Sequence, residues 1–76
     1  MDIETFIENM KEQFDDLEGE LTPETIFSEL DEWSSLTALS VIAMVDEEYE
    51  VTLKGADIRN ARTVQDLFNS VQAKKQ

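Results

Sequence analysis

A chain of 76 residues with a formal charge of −12 and neither cysteine nor histidine has room for one small domain and few kinds of chemistry. Such a core cannot wall a deep multi-residue cleft, and the missing residue types remove disulfides, thiolate metal sites, a cysteine nucleophile and the usual general base. The acidic balance disfavours nucleic acid and anionic membrane, no apolar run approaches spanning length, and Met1-Asp2-Ile3-Glu4 is acidic where a targeting segment is basic. The expectation is a soluble, cytoplasmic, monomeric protein that is not an autonomous enzyme and holds no metal.

Ile3, Phe6, Ile7, Met10, Phe14 and Leu17 step by 3, 1, 3, 4 and 3, which predicts one amphipathic helix. Gly19 and Thr22-Pro23 stop it and open a long loop. Ile26, Phe27 and Leu30 are expected to peg that loop to the core from a short turn, with Trp33 as a further anchor. A second helix runs from about Leu36 to Tyr49 or Glu50, with Tyr49 in the core and its hydroxyl at the edge. Val51-Thr52-Leu53 is an extended connection, and Gly55 to Asn60 hold one helical turn. Thr63 opens the last helix with Asp66 as its capping-box partner. Its stripe is Val64, Leu67, Phe68 and Val71, and Lys74 and Lys75 fall at the end where the dipole favours cations. Three main helices plus a short one make an all-α, small four-helix bundle, a single domain over residues 1–76.

A helical wheel of the second helix gathers Ala38, Leu39, Val41, Ile42, Val45 and Tyr49 on the expected core side. Leu36, Thr37, Ser40, Ala43, Met44 and Glu47 fall opposite, an outer face of mixed apolar and polar groups. Charge is as uneven as hydropathy. From Glu12 to Leu53 there are thirteen acidic residues and no Lys or Arg; Lys11, Lys54, Arg59, Arg62, Lys74 and Lys75 all lie outside that span. Such a field steers basic partners toward the middle of the chain, while Arg59 and Arg62 are expected to offset nearby acids.

Ser34 and Ser35 precede the second helix, and either can serve as its N-cap. A hydroxyl there projects beside the unpaired N–H groups of the first turn, where an attached anion is favoured by those groups and by the dipole.

Phe27, Leu30, Ser35-Leu36, the run Asp46-Glu47-Glu48-Tyr49, Leu53 and Thr63-Val64 occur in an order and spacing that resemble the acyl carrier protein family over nearly the whole chain. The most specific part is an apolar residue eight positions before the serine with an acidic-acidic-aromatic run eleven to fourteen after it. The resemblance implies a four-helix fold in which Ser35 carries 4′-phosphopantetheine, transferred from coenzyme A by a phosphopantetheinyl transferase. The arm's thiol then holds acyl groups as thioesters for partner enzymes of fatty acid, polyketide or related biosynthesis, a cofactor supplying chemistry that a cysteine-free chain lacks. It also implies that acyl-transferring and condensing enzymes with basic surfaces dock on the second helix, at Leu36, Thr37, Ser40, Ala43, Met44, Asp46 and Glu47. The chain departs from the family pattern at Ser34, where an aspartate usually precedes the attachment serine, and at Thr37 and Ser40, where carboxylates are frequent. These departures point to a specialised carrier, or alternatively to a carrier-fold interaction module that is no longer modified.

Overall fold

The computed structural model describes residues 2–75; Met1 and Gln76, the ends of the expected domain, lie outside them. The described residues form α1 (Ile3–Lys11), α2 (Ser35–Tyr49), α3 (Gly55–Asn60) and α4 (Val64–Lys75), with a 3₁₀ turn at Phe27–Glu29 in the loop between α1 and α2. Four helices and no strand confirm the all-α class among the described residues.

The core is shared by the three longer helices and the loop. Phe6 and Met10 of α1, Phe27 of the 3₁₀ turn, Val41 and Val45 of α2, and Val64, Leu67 and Val71 of α4 are fully buried, each worth about 1.5–3 kcal/mol of removal from water. The Phe6 ring meets Tyr49 at 5.8 Å and Phe68 at 5.4 Å, joining α1 to α2 and α4. Tyr49 is buried with its hydroxyl at the edge, where Asn9 Nδ2 donates to it at 3.1 Å. All four residues of the expected α4 stripe are buried.

α1 is shorter than its apolar stripe. The Asp2 carboxylate caps it by accepting the Thr5 N–H at 2.7 Å, and the helix ends at Lys11. Gln13 and Phe14 then donate to the carbonyls of Met10 and Lys11, three residues back, which tightens and turns the chain. Continuing the helix would stack Glu12, Asp15, Asp16 and Glu18 on its negative dipole end. Phe14 and Leu17 still pack on the core, but from turns.

The long loop is stitched to the start of α4. Thr25 and Pro23 carbonyls accept the N–H groups of Val64 and Gln65 at 3.1 and 3.0 Å, and Ile26 bridges Thr63. Those two donors belong to the first turn of α4 and have no partner within their own helix. Thr63 Oγ1 accepts the Asp66 N–H, and the Asp66 carboxylate accepts from Thr63 and Arg62, all at 3.1 Å, so the expected capping box is present. The Thr63 N–H chiefly, then that of Arg62, holds the Asp66 carboxyl below the ordinary carboxylate range.

At its far end α2 closes on Glu50, which has a left-handed backbone (φ 56°) and donates its N–H to the Asp46 carbonyl. The reversal turns Val51 and Leu53 inward, where both are buried. Lys75 Nζ donates to the Tyr49 carbonyl at 3.0 Å, so the end of α4 caps the end of α2. Lys74 pairs with Asp57 at 3.5 Å, and Asp57 accepts the Lys54 N–H at the start of α3.

Candidate functional site

Ser34 and Ser35 divide the start of α2 between them. Ser34 is extended (φ −148°, ψ 172°) and caps the helix, its Oγ accepting the Thr37 N–H at 3.2 Å. Ser35 is the first helical residue, and it is exposed. The loop before the serines is fixed from inside. The Trp33 ring packs edge-on against Phe27 at 4.9 Å and tilted against Phe14 at 6.0 Å, anchoring the chain as expected. Thr37 is buried, and its hydroxyl donates to the Glu32 carbonyl at 3.3 Å and shares a hydrogen bond with Ser34 Oγ at 3.1 Å. A buried hydroxyl needs such partners, and these two tie the loop to the first turn while Ser35 points outward.

The first turn of α2 is electrostatically open. Ala38 donates to the Ser34 carbonyl and Thr37 to the Ser34 side chain, but among the described residues no protein group accepts from the N–H of Ser35 or Leu36. Glu4, Asp57 and Asp66 stand in the first turns of α1, α3 and α4; α2 has no acid there. Unpaired donors at the positive end of a 15-residue helix favour an anion at this place.

The outer face of α2 is rotated from the expected wheel. Thr37 (8% exposed) and Met44 (5%) are buried with Val41, Val45 and Tyr49, whereas Leu39, expected in the core, is 62% exposed. Residues 36–45 carry no charge and apolar side chains surround the helix, so hydropathy alone does not fix its phase. The exposed stripe runs through Leu36 (69%), Leu39, Ala43, Asp46 and Glu47, beginning beside Ser35. Leu39 lies three residues after Leu36 and four before Ala43, and this helical spacing puts it on their face.

Two grooves flank this stripe. On the α3 side, a groove of about 470 Å³ is lined by Trp33, Ser35, Leu39, Ile42, Ile58 and Arg59 among others. On the α1 side, one of about 340 Å³ brings Ser40, Ala43, Met44 and Glu47 together with Glu12 and Glu48. The structure thus gathers Ser40, Ala43 and Glu47 of the expected docking residues on one groove, with Met44 buried in its floor, and leaves Leu36 on the open face. Asp46, Glu47, Glu48 and Glu50 crowd the C-terminal end of α2, where the dipole disfavours carboxylates and the last turn has no basic residue of its own. The Asp66 carboxyl is held low first by the backbone N–H groups of Thr63 and Arg62, and the Arg62 charge adds the least. Arg59 forms no direct ion pair: no carboxylate lies within 4.0 Å of it among the described residues.

No helix among the described residues is long and apolar enough to cross a membrane. No family model and no curated protein matches the sequence. A solution NMR structure of a holo acyl carrier protein from Geobacter metallireducens is similar to this chain with a TM-score of 0.76, covering 95% of this chain and 83% of that one at 25% sequence identity. The chain has the four-helix carrier fold of the acyl carrier proteins.

Proposed function

We propose that this protein carries acyl groups as thioesters on a 4′-phosphopantetheine arm esterified to Ser35, presenting them to enzymes of fatty acid, polyketide or related biosynthesis. The observation that carries this reading is the exposed Ser35 hydroxyl at the first position of α2, relieved of capping by Ser34 and set beside two unpartnered N–H groups. A phosphopantetheinyl transferase forms the Oγ–phosphorus bond as the pyrophosphate linkage of coenzyme A breaks, releasing adenosine 3′,5′-bisphosphate and the serine hydroxyl proton and leaving a phosphodiester where the helix dipole favours one. The arm supplies the thiol that a cysteine-free chain lacks. The protein is a carrier acted on by enzymes, and it works in the cytoplasm.

Partner enzymes dock along Leu36, Leu39, Ser40, Ala43, Asp46 and Glu47. Thr37 and Met44, buried beneath that face, support it without touching a partner. The acids at the end of α2 stand against the helix dipole, a placement that costs stability and suits recognition of basic surfaces.

Co-expression with a phosphopantetheinyl transferase tests the reading. Intact-mass spectrometry is expected to show the gain of one phosphopantetheine, kept in Ser34→Ala and lost in Ser35→Ala. No gain with several transferases overturns it and favours an unmodified interaction module. That alternative draws on Ser34 standing where carriers usually have aspartate, and it requires Ser35→Ala to leave partner binding unchanged.

A further inference from the structure

The groove between α2 and α3 is built from unlike parts. Ala38, Leu39, Ile42 and Ile58 give it apolar walls, while Arg59 brings the one cationic side chain among its lining residues. The guanidinium lies over the start of α3, where a Cβ added at Gly55 would sit 3.0 Å from Arg59 Nη1. Asp57, the acid of α3, is engaged elsewhere by the Lys54 N–H and by Lys74. In a chain with eighteen acids and six bases, this guanidinium faces a groove with no carboxylate within 4.0 Å among the described residues. Ser35 lines the same groove. A planar guanidinium fork matches the two oxygens of a carboxylate or phosphate.

We infer that the groove between α2 and α3 binds an oxyanion tethered through position 35, with Arg59 as its counter-ion and Leu39, Ile42 and Ile58 holding the apolar part of the tether. The inference rests on Ser35 as the attachment point. Two oxyanions fit this chemistry: the phosphodiester at the root of the arm, and a carboxylate at the far end of the carried acyl group. In the second case Arg59 selects acyl groups with an acidic terminus.

The absence of cysteine permits a test that needs no transferase. Ser35→Cys provides a single thiol, to be alkylated with three iodoacetamide tethers of equal length: one ending in a methyl group, one bearing a phosphonate close to the sulfur, one ending in a carboxylate. An anionic tether is expected to raise Tm at low salt by about 3–5 °C over the methyl tether and to shift the Arg59 Nε resonance. Both effects should vanish in Arg59→Gln and persist in part in Arg59→Lys, with the methyl tether indifferent to either change. A response to the phosphonate assigns the site to the phosphodiester; a response to the carboxylate assigns it to the cargo. Equal behaviour of all three tethers, or an anion effect that survives Arg59→Gln, overturns the inference. Because the conjugates bypass enzymatic modification, failure of the mass-gain experiment with an anion response here would remove the arm and leave the groove, and the converse pair of results would do the opposite.

Discussion

The starts of α2 and α4 begin from the same device, a hydroxyl side chain capping the helix, and are finished differently. At α4, every first-turn donor has a partner: Val64 and Gln65 reach carbonyls of the long loop, Asp66 reaches Thr63 Oγ1, and Leu67 reaches the Thr63 carbonyl. At α2, Ser34 satisfies Thr37 and Ala38, and the N–H groups of Ser35 and Leu36 have no protein acceptor among the described residues. One start is consumed in holding the fold together. The other keeps its positive end free, with an exposed hydroxyl and no first-turn acid to compete with an incoming anion. The same local chemistry is structural where the loop covers it and available where the loop, clamped by Trp33, passes beneath.

The largest expected effect concerns the element that serves both starts. Phe27→Ala removes a fully buried ring that holds the loop, and should cost about 3–5 kcal/mol, a large share of the total for a domain of this size. Urea denaturation should show it, and a loss under 1 kcal/mol would mean the loop is fixed without its peg. Next comes a crossed pair. Thr63→Ala should lower stability by about 1 kcal/mol with modification intact, whereas Ser35→Ala should abolish modification and change stability by less than about 0.5 kcal/mol. A large Tm drop in Ser35→Ala would erase the contrast. Smaller is the effect of Glu47→Lys, which places a cation at the negative end of α2. It should gain about 0.3–1 kcal/mol while weakening capture by a basic partner enzyme, read by calorimetry and by binding at low salt.

The smallest effect is a pH dependence at α4. The Asp66 carboxyl is held low by the Thr63 and Arg62 N–H groups, so it contributes stability above the ordinary carboxylate range and loses it as pH falls through its folded value. The Tm gap between the protein and Asp66→Asn should therefore be open at neutral pH and close in acid. A gap unchanged by acid would mean the carboxylate does not cap.

The sequence made α4 legible because its signal is local: Thr63 and Asp66 are three residues apart, and four apolar residues mark one face against charged and amide neighbours. The apolar stripe overextends α1 because Phe14 and Leu17 keep helical spacing while reaching the core from turns. Hydropathy reports which side chains are buried, and says less about the backbone that brings them there. In α2 the uncharged run 36–45 hides the phase, so the helical wheel puts Leu39 inward and Thr37 and Met44 outward; spacing does not encode the hydrogen bond from Thr37 to the Glu32 carbonyl. Either serine suited a cap on sequence grounds, and the extended backbone of Ser34 decides which one does it. The groove holding Arg59 depends on how α3 packs beside α2, a long-range placement that no local pattern encodes.

Glu50 offers a route to a sturdier scaffold. A side chain in left-handed backbone is held at an energetic disadvantage of roughly 1 kcal/mol, and here it adds a carboxylate to an end of α2 already crowded with them. Asparagine tolerates that conformation better and removes the charge, so Glu50→Asn should harden the protein against heat. Some 22 Å of helix separates this joint from Ser35, far enough that engineering one end need not disturb the chemistry at the other.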